Sequence, residues 1–214
     1  MLRNKEELED ILSQLDVMFP NAGCELVYHN IFELLIAVML SAQTTDKSVN
    51  IVTPLLFSKY PTATNLANAS CDDVIDVIKR IGLAKNKSKN IIAASKMLVE
   101  KYDGIVPNDL SLLMELPGVG RKTANVVMSE GFKIPRIAVD THVERVSKRL
   151  GIVNFNVSVL DVELKLMELI TEASWHKSHH LLLFFGRYFC LSKKPNCKEC
   201  PFKKYCTYIN LQDK

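Results

Sequence analysis

Strand-like alternation is nearly missing from this chain, and so are a low-complexity linker, an internal repeat and a disordered tail. Those absences exclude a β-rich fold, a solenoid and domains strung loosely on a tether. The longest apolar stretch, Ile31 to Leu40, is interrupted by Glu33 and falls far short of the roughly 20 residues that cross a bilayer, so no membrane role is expected. Residues 1 to 20 carry no positively charged start leading into an apolar segment, which points to the cytoplasm. A nucleotide-binding G-x-x-x-x-G-K-[ST] loop is absent, and no nucleotide cofactor is expected. No cluster of carboxylates or histidines stands out that would hold a catalytic divalent ion, which argues against a metal-dependent nuclease.

What is there is 214 residues, 48% hydrophobic and 24% charged, enough for one large core or two modest ones. Periodicity reads as helix almost throughout. Leu8, Ile11, Leu12 and Leu15 mark an amphipathic first helix, and Ile31 to Ala42, apolar all round, marks a buried central one. Asp46 is expected to cap a helix running to about Tyr60, and Asp72 or Asp73 to start one ending near Gly82. Ser88 to Tyr102, Leu110 to Leu116, Arg121 to Gly131, Asp140 to Leu150, Ser158 to Thr171 and Lys177 to Cys190 complete the set. The short connections suggest two packed helical lobes. A net charge of +3 says little by itself, but its grouping is uneven. Lys79, Arg80, Lys85, Lys87 and Lys89 fall together, and Lys193, Lys194, Lys198, Lys203 and Lys204 surround a cysteine cluster. Two such stretches raise the expectation of a polyanionic partner above that of an ordinary solvated face.

Glu115-Leu-Pro-Gly118-Val119-Gly120-Arg121-Lys122-Thr123 places a glycine-bearing turn between a short helix and a longer one. Free N–H groups at such a helix start, beside the positive end of its dipole, make a seat for a phosphate; a plain helix-turn-helix corner is the simpler reading. Lys122 lies on the first helical turn, where an amine nucleophile could form a Schiff base with carbon. Further on, Ile137-Ala-Val-Asp140-Thr-His142 leads an apolar run into a lone aspartate. Its ordinary role is a helix N-cap, with Thr141 and Glu144 as a competing capping box; its functional reading is a carboxylate facing the same cleft as Lys122.

Cys190, Cys197, Cys200 and Cys206 form a C-x6-C-x2-C-x5-C run in the last 25 residues. Disulfides need an oxidising compartment, for which the N-terminus gives no support. Thiolates suit zinc or iron-sulfur, and with one C-x2-C pair where structural zinc sites usually bring two, iron-sulfur is favoured over zinc. Cys24 and Cys71 fall outside the run and are expected to be ordinary thiols.

Leu116-Pro-Gly-Val-Gly-Arg-Lys122-Thr-Ala-Asn-Val-Val, Val139-Asp140-Thr-His142 and the cysteine tail, in that order, resemble the endonuclease III family of the helix-hairpin-helix DNA glycosylases. The likeness extends upstream through Glu33-Leu-Leu-Ile-Ala-Val-Met-Leu-Ser-Ala-Gln43-Thr-Thr-Asp46 and Ile81-Gly-Leu83, so it covers nearly the whole chain. It implies an all-α protein with a six-helix domain over residues 22–134, a second domain from residues 1–21 and 135–214 holding a [4Fe-4S] cluster, and a DNA-binding cleft between them. Matched residue by residue, Lys122 is the expected nucleophile and Asp140 the catalytic aspartate, acting on an oxidised pyrimidine flipped from duplex DNA. Gln43 matches the residue that fills the vacated stack, and Leu83 with Ile81 the wedge against the opposite strand. Gly118, Val119 and Gly120, with Arg121 beside them, match the hairpin that binds phosphate, and Lys193 and Lys194 fall by analogy beside the DNA backbone. The resemblance implies a monomer acting on damaged double-stranded DNA, associated with the nucleoid. Mismatch-adenine relatives usually lack a lysine at the position of Lys122, so the likeness is to the lysine-bearing branch. A binding module without catalysis would need neither Lys122 nor Asp140.

Overall fold

The computed structural model describes residues 2–212, with side chains through Ile209. Among the described residues the regular elements are all helical, and the chain divides into two compact units. One joins the residues up to Cys24 with those from Pro135 onward; the other runs from Glu25 to Ile134. No helix of the described residues is long and apolar enough to cross a membrane.

The first helix, α1 (Lys5–Met18), opens with a complete capping box: the Asn4 side chain accepts from the Glu7 amide, and the Glu7 carboxylate accepts from the Asn4 amide. Its buried stripe is Leu8, Ile11 and Leu15, the i, i+3, i+7 pattern of one helix face.

The unit from Glu25 to Ile134 is built round α2 (Ile31–Leu40), in which Phe32 to Leu40 are all buried, Glu33 included. Asn30 caps it, accepting from the Glu33 amide at 2.9 Å, while the Glu33 carboxylate accepts from the His29 amide at 2.8 Å. A charge at that depth is tolerated because it sits at the helix start with donors at hand. Around α2 come α3 (Asp46–Lys59), α4 (Ala63–Ala67), α5 (Cys71–Ile78), α6 (Ala84–Tyr102), α7 (Leu110–Glu115) and α8 (Arg121–Val126), the last running on as a π-turn through Gly131. α2 packs directly on α3, α6, α8 and that π-turn.

Several boundaries depart from the periodicity. Thr45, not Asp46, caps α3, and Ser70 caps α5, because each offers a hydroxyl from extended backbone one or more positions before the aspartates. Asp46, Asp72 and Asp73 occupy the first turns instead, where their charge meets the helix dipole. α5 stops at Ile78, and α6 starts at Ala84, four residues before Ser88; its first turn is Lys- and Asn-rich, so no apolar period announces it. α4 is a single turn capped by Thr62, too short to display a period.

The other unit continues with α9 (Thr141–Arg149), α10 (Val159–Leu169), α11 (Trp175–Phe184, followed by a π-turn through Phe189) and α12 (Thr207–Gln212). Leu8, Ile11 and Leu15 of α1 close its core together with Val143, Val146, Val162, Leu166, Leu182, Phe185 and Phe202. Each fully buried side chain of this size contributes roughly 1.5–3 kcal/mol. Phe185 stands edge-on to Phe202 at 5.3 Å between centroids, linking α11 to the cysteine loop.

Candidate functional site

Between α7 and α8 the chain turns through Leu116, Pro117, Gly118, Val119 and Gly120. Leu116 and Val119 are buried and hold the turn down, while Gly118 and Gly120 are exposed. The Val119 amide is already bonded to the Leu116 carbonyl at 3.0 Å, so this residue serves the hairpin through its side chain and not as a free donor. Gly118 sits at φ +80°, and a Cβ there would lie 2.8 Å from both Cβ and Nδ2 of Asn90 on α6. Only glycine fits. Asn90 is a residue that sequence reasoning missed; it floors the turn. At Gly120 (φ −94°) a Cβ meets nothing within 4 Å. No side chain caps α8, so its first-turn amides and Gly120 form an open start with Arg121 half-buried and Lys122 exposed.

In the other unit, Ile137, Ala138 and Val139 are all buried and pin the chain just ahead of Asp140. The aspartate caps α9: its Oδ1 accepts from the amides of His142 and Val143, both at 2.9 Å. Both bonds fall on one oxygen, which leaves Oδ2 to face another partner. The alternative capping box does not form, since Glu144 pairs with Lys148 at 2.6 Å. Behind the cap, Gly186 lies so close to α9 that a Cβ would stand 2.9 Å from His142 Cβ.

Gln43 and Leu83, two of the three residues expected to meet the base stack, share an unusual backbone. Both are left-handed, at φ +54° and +60°, although neither is glycine. That conformation costs roughly 1–2 kcal/mol at each. Both side chains are exposed, Leu83 at 55%. Ile81, by contrast, is 4% exposed and bonded through its amide to the Ile78 carbonyl. It does not share the exposed surface of Leu83, with which it was expected to form one wedge. Lys194 is also left-handed (φ +54°), exposed beside exposed Lys193 in the loop between Cys190 and Cys197.

That loop is tied to α9 by two arginines. Arg149 donates from Nη1 to the Leu191 carbonyl at 2.7 Å and to Cys190 Sγ at 3.4 Å, and from Nη2 to the Ser192 carbonyl at 3.2 Å. Arg145 donates to the carbonyls of Gly186 (2.7 Å) and Cys190 (3.2 Å). All four cysteines of the run, as free thiols, line one hollow together with Leu150, Phe185, Phe189 and Pro195. Burial pushes the Cys190 and Cys200 thiols above the ordinary thiol value, and the neighbouring sulfurs push the same way. Cys24 and Cys71 lie outside this group; Cys71 Sγ is 3.2 Å from Ser88 Oγ.

Residues 36–172 match the model of the HhH-GPD superfamily base excision DNA repair proteins. The chain belongs to that superfamily. Within it, the chain is 51% identical to endonuclease III of Bacillus subtilis (strain 168) over 99% of its own length and 96% of that protein's. It is 42% identical to endonuclease III of Escherichia coli (strain K12), covering 98% of this chain and 99% of the other. Among solved structures, a trapped endonuclease III–DNA covalent intermediate in an estranged-adenine complex superposes with a TM-score of 0.95 at 48% identity over the full length of both chains. A thermostable thymine-DNA glycosylase shares the fold at a TM-score of 0.83 and 23% identity, covering 95% and 96%.

Proposed function

We propose that this chain is a DNA glycosylase with an abasic-site lyase step, removing oxidised pyrimidines from duplex DNA in base excision repair. The reading is carried by Lys122. It is an exposed amine on the first turn of an uncapped helix, inside the segment matched to base excision repair proteins, in a chain 48% identical to one trapped covalently on DNA. The free amine attacks C1′ of the extruded nucleotide; the C1′–N bond breaks and its electron pair leaves with the base, which takes up a proton. Ring opening at O4′ leaves an imine between Nζ and C1′. The imine acidifies the C2′ proton, and its removal expels the 3′ phosphate by β-elimination. A water activated by a carboxylate could not form that imine.

Asp140 is assigned the carboxylate that stabilises the positive charge developing on the sugar. Its use of Oδ1 alone for capping supports this, because the helix start holds the group in place while Oδ2 stays available. Gly118, Gly120 and Arg121 are assigned to a backbone phosphate, with Val119 as their buried anchor, and Lys193 and Lys194 to further phosphates. Gln43 and Leu83 are assigned to the base stack, where pre-formed left-handed turns spare the cost of ordering them on contact. The protein would act as a monomer at the nucleoid, in the cytoplasm.

The four-cysteine hollow fits a [4Fe-4S] cluster held by Cys190, Cys197, Cys200 and Cys206. Four soft sulfur donors face one space with apolar side chains round it, and Arg149 Nη1 donates to Cys190 Sγ at 3.4 Å, a contact that favours the thiolate a metal binds. Such a cluster supplies a cross-link that folds the loop. The chain's own part is to keep Lys193 and Lys194 on that loop, through Arg149 and Arg145.

Borohydride trapping tests the reaction: wild type should give a covalent adduct on duplexes carrying thymine glycol or an abasic site, in the presence of a chelator, and Lys122→Ala should give none. An adduct on the abasic duplex alone would move the substrate to another base. Strand cleavage without any adduct would remove Lys122 from its role. Equimolar iron and acid-labile sulfide in the purified protein supports the cluster, and zinc in their place refutes it.

A further inference from the structure

Lys87 is a lysine in the wrong surroundings for its charge. It is 6% exposed, on the first turn of α6, and burial drives its ammonium below the ordinary lysine value. Its side-chain partner among the described residues is a hydroxyl, with Nζ donating to Thr44 Oγ1 at 2.5 Å. A methionine of similar shape would fill the space without the desolvation cost. Stability does not explain an ammonium there.

Its two ends do. The Lys87 amide is bonded to the Leu83 carbonyl at 3.0 Å, and its ammonium is bonded to the residue next to Gln43. Thr44 in turn donates its amide to Ser41 at 3.0 Å, closing the turn in which Gln43 is left-handed. One side chain therefore spans 43 residues of sequence to join the two exposed left-handed turns of this unit that carry stack-entering candidates.

We propose that Lys87 is a positioning residue that fixes the separation of Gln43 and Leu83, so that both enter the base stack together when a nucleotide is extruded. This rests on the glycosylase reading above. The ammonium sets a direction and a length that an apolar side chain does not, and locks a pair of turns that would otherwise relax independently. Lys87 touches neither the sugar nor the leaving base. Its effect should therefore fall on extrusion and not on the chemical steps.

The test uses Lys87→Met and Thr44→Val in the full chain, with wild type alongside. Extrusion is read by the fluorescence of 2-aminopurine placed beside thymine glycol in a duplex, and chemistry by single-turnover cleavage of that duplex and of one holding an abasic site, where no base needs to be unstacked. Lys87→Met is expected to melt at or above the wild-type temperature. It should lose most of the 2-aminopurine signal and cleave the glycol duplex about tenfold more slowly, while abasic cleavage falls by much less. Thr44→Val should give the same pattern, and the double variant little more than either alone. Equal losses on both duplexes together with a lower melting temperature would show a purely structural lysine and overturn the proposal. So would an unchanged fluorescence signal. Absence of cleavage by wild type itself would count against the lyase reading, and the 2-aminopurine signal would still decide the role of Lys87.

Discussion

Two helix starts carry the candidate chemistry, and they are built in opposite ways. α9 begins on a side chain: Asp140 spends one carboxylate oxygen on the amides of His142 and Val143, behind three buried apolar residues. α8 begins on nothing but backbone: Gly120 offers no side chain, and Lys122 is exposed on the first turn. A cap fixes a carboxylate where it is needed and keeps it from swinging. An uncapped start leaves donors for an anion that the protein itself does not supply. A charged residue at a helix start is thus read by what it does for the helix. Asp140 caps its helix through Oδ1 and keeps Oδ2 for the role proposed above, whereas Lys122 gives α8 no cap.

The contrast can be broken most severely at Lys122. Lys122→Ala should abolish the borohydride adduct and lower strand cleavage by about 10⁴-fold or more, with the melting temperature held or slightly raised. Asp140→Asn separates the two duties of the cap, because asparagine keeps the Oδ1 acceptor and loses the charge. Single-turnover cleavage should fall about 10²-fold with stability nearly intact, while Asp140→Ala adds about 1 kcal/mol of lost capping, seen in urea unfolding.

The two glycines of the hairpin should then separate. Gly118→Ala forces a positive φ and a clash with Asn90, costing about 1–3 kcal/mol and weakening DNA binding in a fluorescence anisotropy titration; Gly120→Ala should cost about 0.5 kcal/mol or less. Equal costs at both would mean that Asn90 yields and that the turn relaxes out of its positive φ.

The smallest effect belongs to a third helix start, where charge serves the fold alone. Asp161 completes the capping box of α10 with Ser158, whose hydroxyl and amide hold the carboxyl below its ordinary value. A depressed carboxyl contributes stability that is present above the unfolded-state pKa and lost as pH falls through the folded one. Asp161→Asn should flatten the acid side of the stability profile and leave cleavage at neutral pH unchanged, the reverse of Asp140→Asn.

Much of this was legible from residues alone, and what was not has physical causes. Lys122, Asp140 and the four cysteines each stand in a spaced motif whose chemistry requires those residue types. Periodicity located helices such as α1 because they present one buried face, and α2 stood out as a continuous apolar run. It lost helix starts wherever a hydroxyl displaced an aspartate as the cap, at Thr45 and Ser70, and wherever the first turn was polar, as at Ala84. Ile81 and Leu83 look alike in sequence, and only the fold separates a buried side chain from an exposed one on a left-handed turn. Asn90 and the Lys87–Thr44 bond were invisible because both act between segments distant in the chain.

The discontinuous unit has a consequence for how the protein is made. α1 packs on α11, yet 110 residues of the other unit, from Glu25 to Ile134, lie between their halves of the chain. At roughly 5–20 residues per second, making that stretch takes roughly 5–20 seconds, and only then do the partners of Leu8, Ile11 and Leu15 begin to appear. Throughout that interval the first helix is an amphipathic segment without a core, and its apolar stripe is open to chaperones. The most vulnerable part of the nascent chain is therefore its oldest.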